Sequence, residues 1–414
     1  MSVVDLPDEW RLTQAGELGT FRGGNGFPTR YQGLGHGDYP FVKVSDMNLA
    51  GNKILITEAN HFVSDAVRKS LGAYAFPPNT IVFAKVGEAI FQERRRILAR
   101  PTCLDNNMAG FLIEPAKADY RFVYHSLTAL RLGDLVATTA LPSLNGRQLR
   151  SIEIALPEDV REQRAIAAAL SDTDALVSSL ESLLAKKRDI KQAVMQQLLK
   201  GRTRLPGYDG EWEEKPIAEV LSVKHGKSQK EIEEPWGQYP ILATGGEIGR
   251  TNTPLHNGPS VLIGRKGTID RPQYVEGPFW TIDTLFFTEV NSNAVAKYLF
   301  YRFQLIDWRS MNEASGVPSL SATRIESLNV LLPARREQQA IAAVLSDMDT
   351  EVATLEARLA KTIDIKTAMM QQLLTGRTRL PIPEGGQDEG EGSGGDGSSG
   401  FENGRQSAAE GAAA

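Results

Sequence analysis

The chain lacks most of what would advertise a chemistry. One cysteine, Cys103, stands among 414 residues, so no internal disulfide can form and a cysteine-based zinc site is excluded. A reducing compartment is the default, and the cytoplasm is the expected location. No apolar run approaches the roughly 18 residues a membrane span needs, and the opening MSVVDLPDEWRL has no basic stretch leading into an apolar one. Neither a membrane nor secretion is expected. The five histidines, His36, His61, His125, His225 and His256, are scattered without a His-Glu-x-x-His pairing, so no metal ligands can be nominated. Gly226-Lys227-Ser228 imitates the end of a phosphate loop, but Leu221 occupies the place of its first glycine. The Gly23-Gly24-Asn25-Gly26 cluster does not spell a dinucleotide fingerprint either. With no nucleophile, acid pair, S-adenosylmethionine motif or nuclease motif in recognisable spacing, no catalytic residue is assigned and an enzyme is disfavoured.

Net positive charge is also missing, since the formal total is -5. The deficit sits at one end: residues 382–414 carry seven acids against Arg405, about -6, which leaves residues 1–381 near +1. That tail is dominated by Gly, Ser, Asp, Glu and Ala, cannot bury enough apolar surface to offset its ordering entropy, and is expected to be disordered. A near-neutral body neither requires nor forbids a nucleic acid; clustering of its basic residues is what matters.

What is present is a repeat. Arg161–Pro206 returns as Arg336–Pro381; aligned without a gap, 14 of the 46 positions differ and 32 are identical. In the first copy Ile166, Leu170, Thr173, Val177, Leu180 and Leu184 follow at steps of four and three, and Ile341, Leu345, Met348, Val352, Leu355 and Leu359 do so in the second. Ile190, Val194, Leu198 and Ile365, Met369, Leu373 are expected to prolong these seams. Pro157 and Pro333 precede the helices, and Gly201 and Gly376 stand where glycine caps belong. Each helix should run about 40 residues, or about 60 Å. A single narrow stripe on so long a helix needs a partner, and the natural one is the other copy, in an antiparallel or crossing pair.

The segments before each copy look largely unlike. Strand-like runs at 41–44, 53–56, 80–83 and 110–113 in the first, and at 239–242, 260–263 and 281–288 in the second, are broken by Gly, Pro and Asn. Helical patterns follow at 120–132 and 294–303. The fold class is therefore α+β, with two heads and two long helices: 1–157, 158–204, 205–333 and 334–380, then the tail 382–414. Faint echoes put both heads on one plan: Leu6-Pro7 before Trp10 and Leu205-Pro206 before Trp212; Lys85-Val86-Gly87 and Arg265-Lys266-Gly267; Pro142-Ser143-Leu144 and Pro318-Ser319-Leu320.

Basic and amide side chains supply the candidate site. Lys85, Arg94, Arg95, Arg96, Arg100, Asn106 and Asn107 stand close together in the first head; Arg250, Arg265, Lys266, Thr268, Arg271 and Tyr274 do so in glycine-rich stretches of the second. Guanidinium and amide groups on loops suit both phosphate neutralisation and reading of guanine or adenine edges. Any one such residue is as readily a solvated surface charge; one cluster per head favours the functional reading. The Gly-Arg-Thr-Arg-Leu-Pro stretches, 201–206 and 376–381, are identical in both copies and so suit scaffold or partner contacts better than base reading.

The repeated Arg-Glu-Gln-x-x-Ile-Ala at 161–167 and 336–342, with the Gln-Gln-Leu-Leu helix ends at 196–202 and 371–377, resembles the specificity subunit of type I restriction-modification systems. The resemblance covers residues 1–381 and does not extend to the acidic tail. It implies two target recognition domains, each gripping half of a bipartite sequence in double-stranded DNA. It also implies that the helices pair with pseudo-twofold symmetry, set the spacing and dock the methyltransferase (modification) subunits, with restriction subunits joining. S-adenosylmethionine, ATP and magnesium would then belong to those partners. Gln163, Gln196, Gln197, Gln338, Gln371 and Gln372 are the candidate partner-facing residues. A coiled-coil adaptor whose heads bind protein is the competing reading.

Overall fold

A computed structural model describes residues 6–136 and 142–381. The expected disordered tail, 382–414, lies outside the described residues, as do 1–5 and 137–141. Two long helices form, Val160–Leu198 and Arg335–Leu373, 39 residues each. Asp159 opens the first by accepting the Arg161 amide at 2.8 Å, and the Arg161 guanidinium holds its carboxyl below the usual carboxylate range. Gly201 (φ +65°) and Gly376 (φ +70°) follow the two C-termini in the left-handed conformation that glycine adopts without penalty.

The chain divides into two compact units, Ala168–Gln372 and the remainder. In the first of these the long helices run antiparallel, as their cross-links show: Asp174 with Lys366, Lys187 with Glu351 (2.6 Å), Arg188 with Glu356 and Lys191 with Asp349. Residue numbers fall along one helix as they rise along the other. Leu180 and Leu184 are buried on this seam, but Ile190 and Ile365, expected to continue it, are 39% and 47% exposed. The reason is rotational. A step of six residues from Leu184 or Leu359 turns about 240° around the axis, off the seam. Lys187 and Lys191, and Thr362 and Lys366, hold the steps of three and four instead, and three of those four make ion pairs across it.

The head of this unit contains two four-stranded sheets. One is antiparallel, in the order Leu221–His225, Leu285–Val290, Ser260–Gly264, Gln273–Val275. The other, Gly246–Thr251, Tyr239–Ala243, Pro278–Thr281, His256–Asn257, is built on a parallel central pair with Ile241 opposite Trp280. The strand-like run at 281–288 is thus two strands, because the chain turns at Asp283-Thr284, where the Leu285 amide donates back to Ile282 O (3.0 Å). A Cβ on Gly226 would lie 1.9 Å from Ile282 O. Close backbone approach, rather than phosphate binding, accounts for that glycine. The helix Ala296–Phe303 places Tyr298, Leu299 and Phe303 in a core with Trp308, Val261, Ile263 and Phe286. Met195, Leu198, Ile341 and Leu345 of the long helices enter the same core, so helix ends and head fold as one body. Glu213–Pro216 pairs with Asn329–Leu332 and closes the head.

The other unit repeats this plan internally. Its larger sheet runs Gly19–Gly23, Met108–Ile113, Ile81–Ala84, Arg95–Leu98, Leu55–Ile56. Its smaller one, Phe62–Val63, Tyr39–Val42, Thr102–Leu104, Ala75–Phe76, again centres on a parallel pair, with Phe41 opposite Cys103. Trp10–Gln14 pairs with Glu153–Pro157 to close it, and Tyr120–Ala129 is its helix. Gly24 matches Gly226: a Cβ there would meet Asp105 O at 2.0 Å. Heads that look unlike in sequence therefore share one strand order, apart from Leu55–Ile56, an extra edge strand of this unit's larger sheet.

Candidate functional site

In each head a central strand runs into a basic turn held against the Pro-Ser-Leu segment. In the second, the Gly267 amide donates to Pro318 O (2.9 Å) and the Leu320 amide to Arg265 O (2.9 Å). In the first, the Gly87 amide donates to Pro142 O (2.8 Å) and the Leu144 amide to Lys85 O (2.9 Å). Gly267 (φ +88°) and Gly87 (φ +77°) make the turn. One backbone clamp therefore presents Arg265-Lys266-Gly267-Thr268 in one head and Lys85-Val86-Gly87-Glu88 in the other.

The side chains on these turns differ. In the second head a cavity of about 450 Å³ is lined by Thr268, Asp270, Arg271, Arg309 and Asn312. Arg309 pairs with Asp270 at 2.6 Å and keeps that carboxyl ionised below its usual range. Lys266 and Arg271 are exposed and make no salt bridge or side-chain hydrogen bond within the described residues. In the first head the Lys85 amide donates to Asn107 O at 2.8 Å, bringing Lys85 beside the exposed Asn106. The Lys85 ammonium lies over Gly23, where a Cβ would stand 2.5 Å from Nζ. Glycine at 23 is what makes room for it.

Several candidates are occupied elsewhere. Arg95 is 2% exposed, pairs with Glu93 (2.7 Å) and donates to Leu130 O (2.8 Å); burial pulls its pKa down, against the pull of Glu93. Arg96 donates to the Asn52, Arg95 and Met47 carbonyls, and Arg94 to Asn48 and Gln92. The arginine triplet is a brace inside the head. An alternating strand, Arg95–Leu98, buries one of three adjacent arginines, which the charge run alone does not reveal. Arg250 is spent on Gly237 O, Gln238 O and Glu247, and Tyr274 donates to Glu276 (2.7 Å). Arg265 reaches Asp283 O (3.2 Å), the Asn107 amide is turned onto Asp105, and Arg100 is exposed over the Phe62 ring (5.4 Å). What the folds leave available is Lys85, Asn106 and Arg100 in one head and Lys266, Thr268 and Arg271 in the other. Arg22, exposed over Tyr74 at 3.9 Å, and Arg309 were missed by the sequence reading. The run Arg22-Gly23-Gly24 was the signal for the first; nothing local marked the second.

The identical residues of the repeats have a different task. Arg204, from the first Gly-Arg-Thr-Arg-Leu-Pro, forms a two-pronged pair with Glu337 (2.6 and 2.6 Å), to which Trp212 Nε1 also donates (3.2 Å). Within the other unit Arg379, from the second, grips Glu162 in the same way. Gln163 and Gln338 are corrected from surface to interior. Gln163 donates to Pro157 O (2.8 Å) and accepts the Asp119 amide (2.9 Å); Gln338 donates to Pro333 O (2.9 Å) and accepts the Val295 amide (2.9 Å). Each ties a helix start to its own head, and neither can face a partner. Gln197, Gln371 and Gln372 are exposed and Gln196 is half-buried. Among the described residues no cluster of His, Cys, Asp and Glu could hold a metal ion, and no helix is long and apolar enough to cross a membrane.

Residues 7–191 and 209–364 match the type I restriction modification DNA specificity domain. A sequence named as the MjaX type I restriction enzyme specificity subunit of Methanocaldococcus jannaschii is 23% identical over 417 aligned positions, 91% of this chain and 96% of that one. A type I specificity subunit from Mycoplasma genitalium is 25% identical over 166 residues, 36% of this chain and 43% of that protein. Among solved structures, the type I restriction-modification S subunit from M. genitalium superposes with a TM-score of 0.64 at 16% identity, covering 90% of this chain and 97% of that one. With the domain matched twice, once over each head and the helix that follows it, the chain belongs to the type I restriction-modification DNA specificity family.

Proposed function

We propose that this chain is the non-catalytic DNA-reading subunit of a type I complex. Each head grips one half of a bipartite duplex target, and the long helices set the interval between the halves. The observation that carries this reading is the contrast at equivalent places: an identical Arg–Glu clasp in both units, beside an identical backbone turn whose exposed side chains differ between heads. Fixed clasps suit a spacer. Differing donors on a fixed turn suit base reading, where Lys and Arg address guanine edges and Asn addresses adenine.

Methyltransferase subunits dock on the helices, and restriction subunits join the larger assembly. In place of Gln163 and Gln338, the docking surface includes Leu176, Leu183 and Ile190, which recur every seven residues on the first helix and are 41%, 40% and 39% exposed. S-adenosylmethionine, ATP and magnesium are bound by those partners, and the complex works in the cytoplasm. Exchanging residues 205–333 for the matching head of a relative and mapping methylation by the reassembled complex tests this reading. One half-site should change while the other half-site and the interval stay. Change in both halves, or in neither, refutes it.

A further inference from the structure

Trp236 is 95% exposed, whereas Trp10, Trp280 and Trp308 are 7%, 8% and 1% exposed and Trp212 is partly buried. A bare indole leaves on the order of 150–250 Å² of mostly apolar surface in water, which a folded chain normally covers. The second head prevents that. Trp236 sits in a turn closed by the Gly237 amide on Glu234 O (2.9 Å) and anchored to the neighbouring strand by the Glu234 amide on Arg250 O (2.8 Å). Arg250 grips Gly237 O (2.8 Å) and Gln238 O (2.9 Å), and Asn252 donates to Glu234 (2.5 Å). A Cβ on Gly237 would come within 2.3 Å of the Thr251 amide nitrogen, so the turn lies directly on the strand. The indole is pre-organised outward, at little ordering cost to a partner.

Charge selects the partner. Glu231, Glu233 and Glu234 precede Trp236, with Lys230 the one cation between residues 229 and 238, leaving a net of -2 there (three acids, one lysine). Glu247 on the adjoining strand takes the remaining prong of Arg250. A nucleic acid backbone would be repelled where stacking on Trp236 would bring it closest. The equivalent turn of the first head, with Gly37 pressed on Val63 as Gly237 is on Thr251, carries His36 and no acidic run.

We infer that the 231–237 turn is a protein-docking anchor, with Trp236 entering an apolar slot rimmed by Lys and Arg on a modification subunit. The inference rests on the assembly proposed above, in which that subunit must be held beside the half-site that the head reads. It confines this contact to the second head. Tryptophan is the residue most able to dominate such an interface.

The test uses the full chain labelled with 5-hydroxytryptophan, excited where the partner's ordinary tryptophan does not absorb. Free chain should show one readily acrylamide-quenched component, absent in Trp236→Phe. Adding the purified cognate modification subunit should remove it, and adding duplex DNA to the free chain should leave it. Trp236→Ala should weaken assembly about 30-fold, and Glu231→Lys with Glu233→Lys should weaken it and flatten its salt dependence. Assembly that leaves the component quenchable overturns the anchor and spares the proposed function. Shielding by DNA overturns it in favour of a nucleic-acid contact. Failure to assemble at all overturns both.

Discussion

Replacing Gln163 by alanine separates a structural amide from a docking one. Its side chain is fully buried, its oxygen accepts the Asp119 amide at 2.9 Å and its nitrogen donates to Pro157 O at 2.8 Å. Removal orphans one buried N–H and one buried C=O, at about 1–3 kcal/mol each. The vacated volume adds about 1 kcal/mol. Asp119 also caps the helix Tyr120–Ala129 by accepting the Arg121 (2.9 Å) and Phe122 (3.1 Å) amides, so loosening it weakens a second element. The expected loss is about 3–7 kcal/mol. For a unit of this size, at about 2–4 °C per kcal/mol, the midpoint should fall by about 6–28 °C. Scanning calorimetry of the full chain measures it, with the exposed Gln197→Ala as a control expected within about 0.5 kcal/mol of the parent. A loss below about 1 kcal/mol for Gln163→Ala, joined to weaker binding of modification subunits, would refute the structural role.

Arg95→Ala should unfold the first head more easily by about 3–5 kcal/mol, since Glu93 and Leu130 O lose a buried partner; urea titration measures this, and the bases read in methylation mapping should not change. Arg271→Ala should leave stability within about 0.5 kcal/mol and lower DNA affinity of the assembled complex, reducing the salt slope by about one; an unchanged slope removes Arg271 from the interface. Arg188→Glu should cost about 0.5–1 kcal/mol by placing two carboxylates together, and Glu356→Arg in the same chain should restore much of it; a double-mutant cycle without coupling contradicts the pairing. Burial pushes the Cys103 thiol up to about 11, above its ordinary value of 9.0. The folded state therefore keeps a proton that the unfolded state releases above about pH 9, so stability falls as pH rises from there toward 11. Iodoacetamide should accordingly label Cys103 at pH 8 no faster than the chain opens, and rapid labelling of folded protein would contradict its burial.

The helices were legible because their signal is local. Steps of three and four and a preceding proline place the starts of Val160–Leu198 and Arg335–Leu373 within two residues, while the expected bounds 158–204 and 334–380 overran the C-termini by six and seven residues. The expectation failed where the step itself failed, at Ile190 and Ile365. Strands were harder: 281–288 reads as one strand, yet a turn closed by the Leu285 amide on Ile282 O divides it. Both glycines that resembled nucleotide motifs, Gly24 and Gly226, turned out to be places where one backbone passes over another.

Composition, the duplicated segment and its heptads were enough to predict two α+β heads and two long helices, and the repeated Arg-Glu-Gln-x-x-Ile-Ala carried the resemblance to the DNA specificity family, because these signals lie in residues near one another in the chain. Only the tertiary structure decided that Gln163 and Gln338 are interior ties, that Arg95 is a brace, that Lys266 and Arg271 make no salt bridge among the described residues, and that Trp236 stands bare. Whether an amide or a guanidinium is spent or available depends on which carbonyls and carboxylates surround it. Some partners lie far along the chain: the Leu130 carbonyl that takes Arg95 is 35 residues away, and the Asp119 amide that donates to Gln163 is 44. Pattern along the chain reports the face a residue occupies within its own element; the partner waiting on that face is supplied by the fold.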